Sequence, residues 1–183
     1  GASTGATAIL ISKLWGGTNV VALEPAPANY RYLLWNLKEN GVADRVWPLN
    51  LAISELPSES KAFYYSPTYP TWSQVAQETS DVLADESWRG GWTDWQGRFE
   101  VETSTLAEVM AAMGLHDIHV LKVDCEGCEW DIFRPLAWSR LRHRVGHVTA
   151  ELHEWALQTE EGHEKLQAFV REAICIHSQT REN

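Results

Sequence analysis

Long apolar runs are missing from this chain. None approaches the ~20 residues that a membrane-spanning helix needs, so no membrane span is expected. Cysteine is scarce, at 3 of 183 residues, too few for a disulfide framework. The expectation is therefore free thiols and a reducing compartment, the cytoplasm. Basic residues are outnumbered, 15 Lys and Arg against 25 Asp and Glu, for a formal charge of −10. That balance argues against nonspecific binding to nucleic acid or to an anionic membrane. Internal repeats, low-complexity tracts and linkers are also absent, and the length suits one domain with its own core, or a large piece of one. The chain opens at Gly1 without a methionine, so its start is silent on targeting. Tryptophan, by contrast, is abundant: ten in all, with Trp72, Trp88, Trp92 and Trp95 close together.

The most informative stretch is Leu121-Lys-Val-Asp-Cys-Glu-Gly-Cys-Glu-Trp130. An apolar run from Ile118 to Val123 stops at Asp124 and Glu126, and Gly127 opens a segment, Cys128 to Leu136, with apolar residues at Trp130 and Phe133. The pattern is that of a buried strand running into a helix, with carboxylates at the strand's carboxyl end, the edge at which ligands bind in open α/β sheets. The same acids also suit a helix cap and a solvated turn. Lys122 within the run reads as a strand-edge lysine with an exposed head.

Other strand ends repeat the pattern. Gly1-Ala-Ser-Thr-Gly5 leads into a helical segment, Ala6 to Trp15, and glycines four apart let backbone approach a ligand at a helix N-terminus. The second glycine of the dinucleotide fingerprint G-x-G-x-x-G is missing, and Thr4 is an alternative N-cap. A strand from Asn19 to Leu23 ends at Glu24, which stands 19 residues after Gly5. An acid about 20 residues beyond the glycines accepts hydrogen bonds from a ribose diol in such folds, although it also reads as an exposed strand-end acid. Pro25-Ala-Pro27 starts a helix with the stripe Tyr30, Leu33, Leu34 and Leu37, and Asn40-Gly41 ends it. Arg45 to Leu49 is a third strand, closing at Asn50-Leu-Ala-Ile-Ser54. Successive β-α units of this kind predict a parallel, doubly wound α/β sheet.

Lys61 to Tyr65 and Phe99 to Glu102 read as strands of a hairpin-like excursion. Between them Ser66 to Arg98 is polar and carries the clustered tryptophans, fitting either a lid over a pocket or a local aromatic cluster. Thr105 and Glu108 form a capping box for a helix to Met113, stopped by Gly114. Val145 to Leu152 is a further strand, ending in Glu151-Leu-His153-Glu154, and alternation puts Glu151 and His153 on one face. Leu166, Phe169, Val170 and Ala173 form a helical stripe, followed by a short strand from Ile174 to His177. Five strand ends thus carry Gly1/Gly5, Glu24, Asn50, Asp124/Glu126 and Glu151/His153, which together point to one site.

At these residues the sequence resembles the FkbM-type family of S-adenosylmethionine-dependent methyltransferases. The matching pieces are G-A-S-T-G at 1–5, A-L-E-P-A-P at 22–27, N-L-A-I-S at 50–54, L-K-V-D-C-E-G-C-E-W at 121–130 and A-E-L-H at 150–153, in the family's order. The resemblance implies a class I, Rossmann-like methyltransferase fold with strand order 3-2-1-4-5 plus further strands. It also implies S-adenosyl-L-methionine as cofactor and methyl transfer to a hydroxyl oxygen of a small molecule, sugar or lipid. Carried over by position, Gly1, Ala2 and Gly5 would form the loop against the cofactor's amino-acid end. Glu24, with Pro25 beside it, would hold the ribose hydroxyls, and Asn50, Leu51 and Ala52 would border the adenine. Asp124 and Glu126 would lie near the reacting methyl, with Glu151 and His153 across the pocket.

Two departures stand out. The family's first strand is absent ahead of Gly1, so the expectation is a single domain over 1–183, truncated at its N-terminus, with an insertion at about 61–102 and a vacant slot between the strands ending at Glu24 and Asp124. Cys125 and Cys128 stand where the family has small or apolar residues, and the pair lacks the thioredoxin-like context of a redox motif. His153 titrates in the range useful to a general base, with Glu151 or Asp124 to orient it; the same residue also fits a strand-end histidine satisfied by backbone. Two rival readings are open. Asp124, Glu126, Glu151 and His153 could ligate a divalent cation that activates the hydroxyl, or the chain could be a non-catalytic cofactor-binding module.

Overall fold

The computed structural model describes residues 1–55, 60–65, 73–75, 97–153 and 164, with the backbone alone at 60–65, 73–75 and 97–99. The expected tryptophan lid, the stripe at 166–173 and the strand at 174–177 lie outside the described residues, apart from backbone at 73–75 and 97–98. The chain divides into two compact units, Gly1–Ala52 with Leu56–Ser104, and Ile53–Glu55 with Thr105–Asn183.

In the first unit α1 (Ala6–Leu14) follows Gly5, whose φ of 94° no ordinary residue takes without strain. A β-carbon there would sit 2.6 Å from Leu33 Cδ1, so glycine lets α1 start against the following helix. The residues α1 buries are small, Ala8 and Ser12, whereas Leu10 and Leu14 face outward, Leu14 at 65% exposure. β1 (Val20–Leu23) pairs in parallel with β2 (Val46–Leu49), from Val20 opposite Val46 to Leu23 opposite Leu49. Between them runs α2 (Pro27–Glu39), opened by Pro27 and closed by Asn40 and a left-handed Gly41.

Of the apolar stripe expected on α2, Leu33 and Leu37 are fully buried, but Leu34 is 43% exposed and Asn29 is buried instead. Positions 29, 33 and 37 are four apart and share one face, and Leu34 lies 100° round from Leu33. Ala8, Ala22, Leu33, Leu37, Val42 and Val46 form the core, each large member contributing about 1.5–3 kcal/mol.

The two strands expected in the excursion are present with longer bounds, and a third lies within the segment read as loop. β4 (Ser60–Tyr65) and β6 (Gly97–Ser104) are antiparallel, from Ser60 opposite Glu102 to Tyr65 opposite Gly97. β3 (Ala52–Ile53) and β5 (Ser73–Val75) complete a four-stranded sheet in the order β3-β6-β4-β5.

In the second unit α3 (Leu106–Ala112) starts at the expected capping box. Thr105 Oγ1 accepts from Glu108 N–H, and the Glu108 carboxylate accepts from Thr105 N–H, both at 3.1 Å. β7 (Ile118–Val123) has the predicted bounds. The segment Cys128 to Leu136, expected as one helix, is instead two: α4 (Glu129–Ile132) and α5 (Pro135–Leu141). Pro135 is the cause, since a proline ring disfavours helical backbone in the residue before it, and Arg134 accordingly has ψ of 135°. Phe133 and Trp138 pack edge to face at 5.0 Å, within a buried set that includes Trp130, Ile132 and Leu141.

β8 (Val145–Ala150) pairs in parallel with β7, from Ile118 opposite Val145 to Val123 opposite Ala150. Glu151 N–H extends the ladder to Val123 C=O at 2.9 Å. Arg144 pins the entry to β8, donating to the carbonyls of Leu115 at 2.7 Å and His116 at 2.5 Å. Gly146 is required by packing, because a β-carbon there would lie 2.9 Å from His119 O. The α/β character and the parallel pairs are thus present, each strand of a pair ending at residues marked by the sequence. Among the described residues no helix is long and apolar enough to cross a membrane.

Candidate active site

In the first unit the residues after β1 fold into a tight knot around Glu24, which is 4% exposed. One carboxylate oxygen accepts from Ser3 N–H at 2.7 Å, and the other from Ala26 N–H at 3.0 Å with Asn29 Nδ2 at 3.5 Å. Ala2 N–H donates to Leu23 C=O at 2.7 Å, so the glycine loop lies along the end of β1. Ser3 has φ of 51°, and a β-carbon on Gly1 would meet Glu24 Oε2 at 2.4 Å. Asn50 braces the same turn from β2, its Nδ2 donating to the carbonyls of Glu24 at 2.8 Å and Pro25 at 2.9 Å. Leu51 is half-buried and Ala52 buried.

In the second unit the chain leaves β7 at Asp124 and turns through Cys125, Glu126, Gly127 and Cys128. Glu126 and Gly127 both have positive φ, 56° and 118°. Cys125 and Cys128 are joined by a disulfide, with Cα atoms 5.5 Å apart. This corrects the expectation of free thiols, and the compartment inferred from the cysteine count loses its basis. The turn folds the two cysteines onto each other, a proximity that counting residues does not reveal.

Glu129, fully buried, sits beneath this turn. Its Oε1 accepts from Cys125 N–H and its Oε2 from Gly127 N–H, both at 2.8 Å. His153 Nδ1 lies 2.9 Å from Glu129 Oε1. A carboxylate that already accepts two backbone N–H groups takes Nδ1–H as a third, which puts Nε2 on the side of the ring away from Glu129. Nε2 looks toward Glu126 Oε2 at 3.4 Å and Glu151 Oε1 at 3.9 Å. The Trp130 indole N–H donates to His153 C=O at 3.1 Å, fixing the backbone from which the ring projects.

The partner that orients His153 is thus Glu129, not Glu151 or Asp124. Sequence alone does not single out Glu129, since an acid in the first turn of a helix is common. Its burial, and the return of the chain to it 24 residues later, appear only in three dimensions.

The charges around the ring differ in direction. Asp124 loses some solvation by burial, but the bond and charge of Lys122, whose Nζ lies 2.8 Å away, together with His153, hold its carboxyl below the usual range. Lys122 itself keeps an exposed head, as expected. Glu126 is pushed up, first by burial and then by the carboxylates of Asp124, Glu129 and Glu151, with His153 opposing.

A family model described as the methyltransferase FkbM domain matches residues 1–174. The chain belongs to the FkbM methyltransferase family. "Methyltransferase sdnD" of Sordaria araneosa is 28% identical over 163 residues, covering 79% of this chain. The chain spans 62% of that relative's length. No solved structure matches.

The residues of the first unit suit the cofactor of an FkbM enzyme. The N-terminus of α1 has no side-chain cap and no acid in its first turn, which suits an external carboxylate. Glu24 supplies an acceptor with lone pairs beyond those the backbone uses.

Proposed function

We propose that this chain forms the catalytic part of an S-adenosylmethionine-dependent O-methyltransferase acting on a hydroxyl of a small molecule, sugar or lipid. The observation that carries the proposal is the Glu129–His153 pair at the carboxyl end of two parallel strands, with Nε2 turned away from its carboxylate. Gly1, Ala2 and Gly5 with the start of α1 would hold the cofactor's amino-acid end. Glu24 and Pro25 would take the ribose, and Asn50, Leu51 and Ala52 the adenine edge. The cofactor supplies an electrophilic methyl group on a sulfonium.

His153 Nε2 would accept the proton of the acceptor's hydroxyl, and Glu129 would stabilise the resulting imidazolium. Glu126 and Glu151 stand beside Nε2, with carboxylate oxygens 3.4 and 3.9 Å from it. The parallel pairs β2-β1 and β7-β8, each taken by itself, support the neighbours 3-2 and 4-5 of the order 3-2-1-4-5 that the family implies. Transfer of a labelled methyl group by the purified whole protein, with and without His153→Ala, tests the proposal. Activity undiminished by that substitution refutes the base.

A second reading has its own observation. One donor atom each from Asp124, Glu151 and His153 lies within 4.8 Å of the others. Glu129 on Nδ1 is the kind of partner that orients a metal-binding histidine. A cation would occupy the Nε2 lone pair, so metal and base readings exclude each other. Loss of activity with chelator and its return with Mg decides for the metal. Cofactor binding without any transfer decides for the non-catalytic module.

A further inference from the structure

The Cys125–Cys128 disulfide has no part in the proposed chemistry, yet it encloses what that chemistry rests on. The ring closed by the two sulfurs contains Glu126 and Gly127, the two positive-φ residues of the turn. Of the backbone donors to the Glu129 carboxylate, Gly127 N–H lies within that ring and Cys125 N–H is attached directly to it. Behind it α4 is a single turn of four residues, too short to hold the loop by its own hydrogen bonds. A non-glycine residue at φ of 56° tends to relax once released. Neither cysteine is fully buried.

We propose that Cys125 and Cys128 form a reversible thiol–disulfide site that sets the order of the loop holding the Glu129–His153 pair: closed when oxidised, released when reduced. In the reductive direction a thiolate of a mono- or dithiol reductant attacks one sulfur, forming a mixed disulfide and freeing the other cysteine. A second reductant thiol then displaces the first cysteine. The net change is one protein disulfide plus two thiols giving two cysteine thiols plus the reductant's disulfide. Reoxidation by a small-molecule disulfide reverses it. The consequence for methyl transfer rests on the proposed role of His153, whereas the thiol chemistry and the loop order do not.

The test equilibrates the full chain in buffers of graded reduced-to-oxidised glutathione ratio. Alkylation of free thiols and mass spectrometry give the fraction of Cys125–Cys128 disulfide, and hydrogen exchange reads the amides of Cys125 and Gly127. The pair is expected to titrate as a two-electron couple within the accessible range. Exchange at the two amides should rise about tenfold on reduction, the order of the ordering lost when a four-residue ring opens. The amides of α3 should not respond. Cys125→Ser and Cys128→Ser should exchange fast in every buffer, and the reduced wild-type chain gives the same reading should those variants fold poorly. A pair that stays open or stays closed across the whole range overturns the proposal, as does equal exchange in both states. If exchange follows the redox state but methyl transfer does not, the redox site stands and the catalytic reading of His153 fails.

Discussion

The knot around Glu24 and the turn around Glu129 use the same device. In each a buried carboxylate beyond the end of a parallel strand accepts a backbone N–H on each oxygen, in a loop that contains positive φ. The difference lies in the third partner. Glu24 adds the amide of Asn29, which does not titrate, and remains a clamp with spare acceptor capacity. Glu129 adds an imidazole at 2.9 Å, a group that can carry a proton, and this is the pair to which we assign the proposed chemistry. A buried acid is structural or chemical according to what the chain brings back to it.

Breaking the chemical half should have the largest effect. His153→Ala is expected to lower turnover by ~10²–10⁴-fold with cofactor affinity unchanged. Steady-state kinetics and calorimetry together check this, and a pH–rate profile without an ionisation between about 5 and 8 counts against the base. Glu129→Ala removes the acceptor of two backbone donors and of His153, so it should cost about 2–5 kcal/mol of stability as well as turnover. Urea denaturation measures the first, and a midpoint equal to wild type would mean the turn holds itself.

Glu24→Ala should cost about 1.5–3 kcal/mol in cofactor binding, with turnover at saturating cofactor nearly intact. Undiminished affinity in calorimetry would leave Glu24 a clamp alone. The smallest effect is expected at Glu126, whose carboxyl is raised in the folded chain. A raised acid contributes stability that is full below its ordinary value of 4.5 and is lost as pH rises through the raised one. Glu126→Gln should flatten that loss, giving a melting temperature less dependent on pH from 4.5 upward than in wild type. Parallel pH profiles would remove the burial argument.

Sequence periodicity and capping chemistry determined a good deal. The bounds of β7, the capping box of α3, the hairpin of β4 and β6, and the start of α2 at Pro27 all follow from local rules of side-chain alternation and backbone sterics. The motif positions were legible too, because a strand that stops at an acid marks its carboxyl end whatever it later packs against. Local rules also contained the break at Pro135, which the apolar pattern at Trp130 and Phe133 obscured.

Tertiary structure alone decided three things. It turned α1 so that Ala8 and Ser12 are buried, with Ile9 packed partly against the core and the leucines outward, because Gly5 lets the helix start close against Leu33. It joined Cys125 to Cys128, since two positive-φ residues reverse the chain between them. And it gave Glu129 to His153, a pairing across 24 residues set by the parallel register of β7 and β8. Which acid becomes the partner of a histidine depends on where two strands end in space, and composition and spacing carry no record of that.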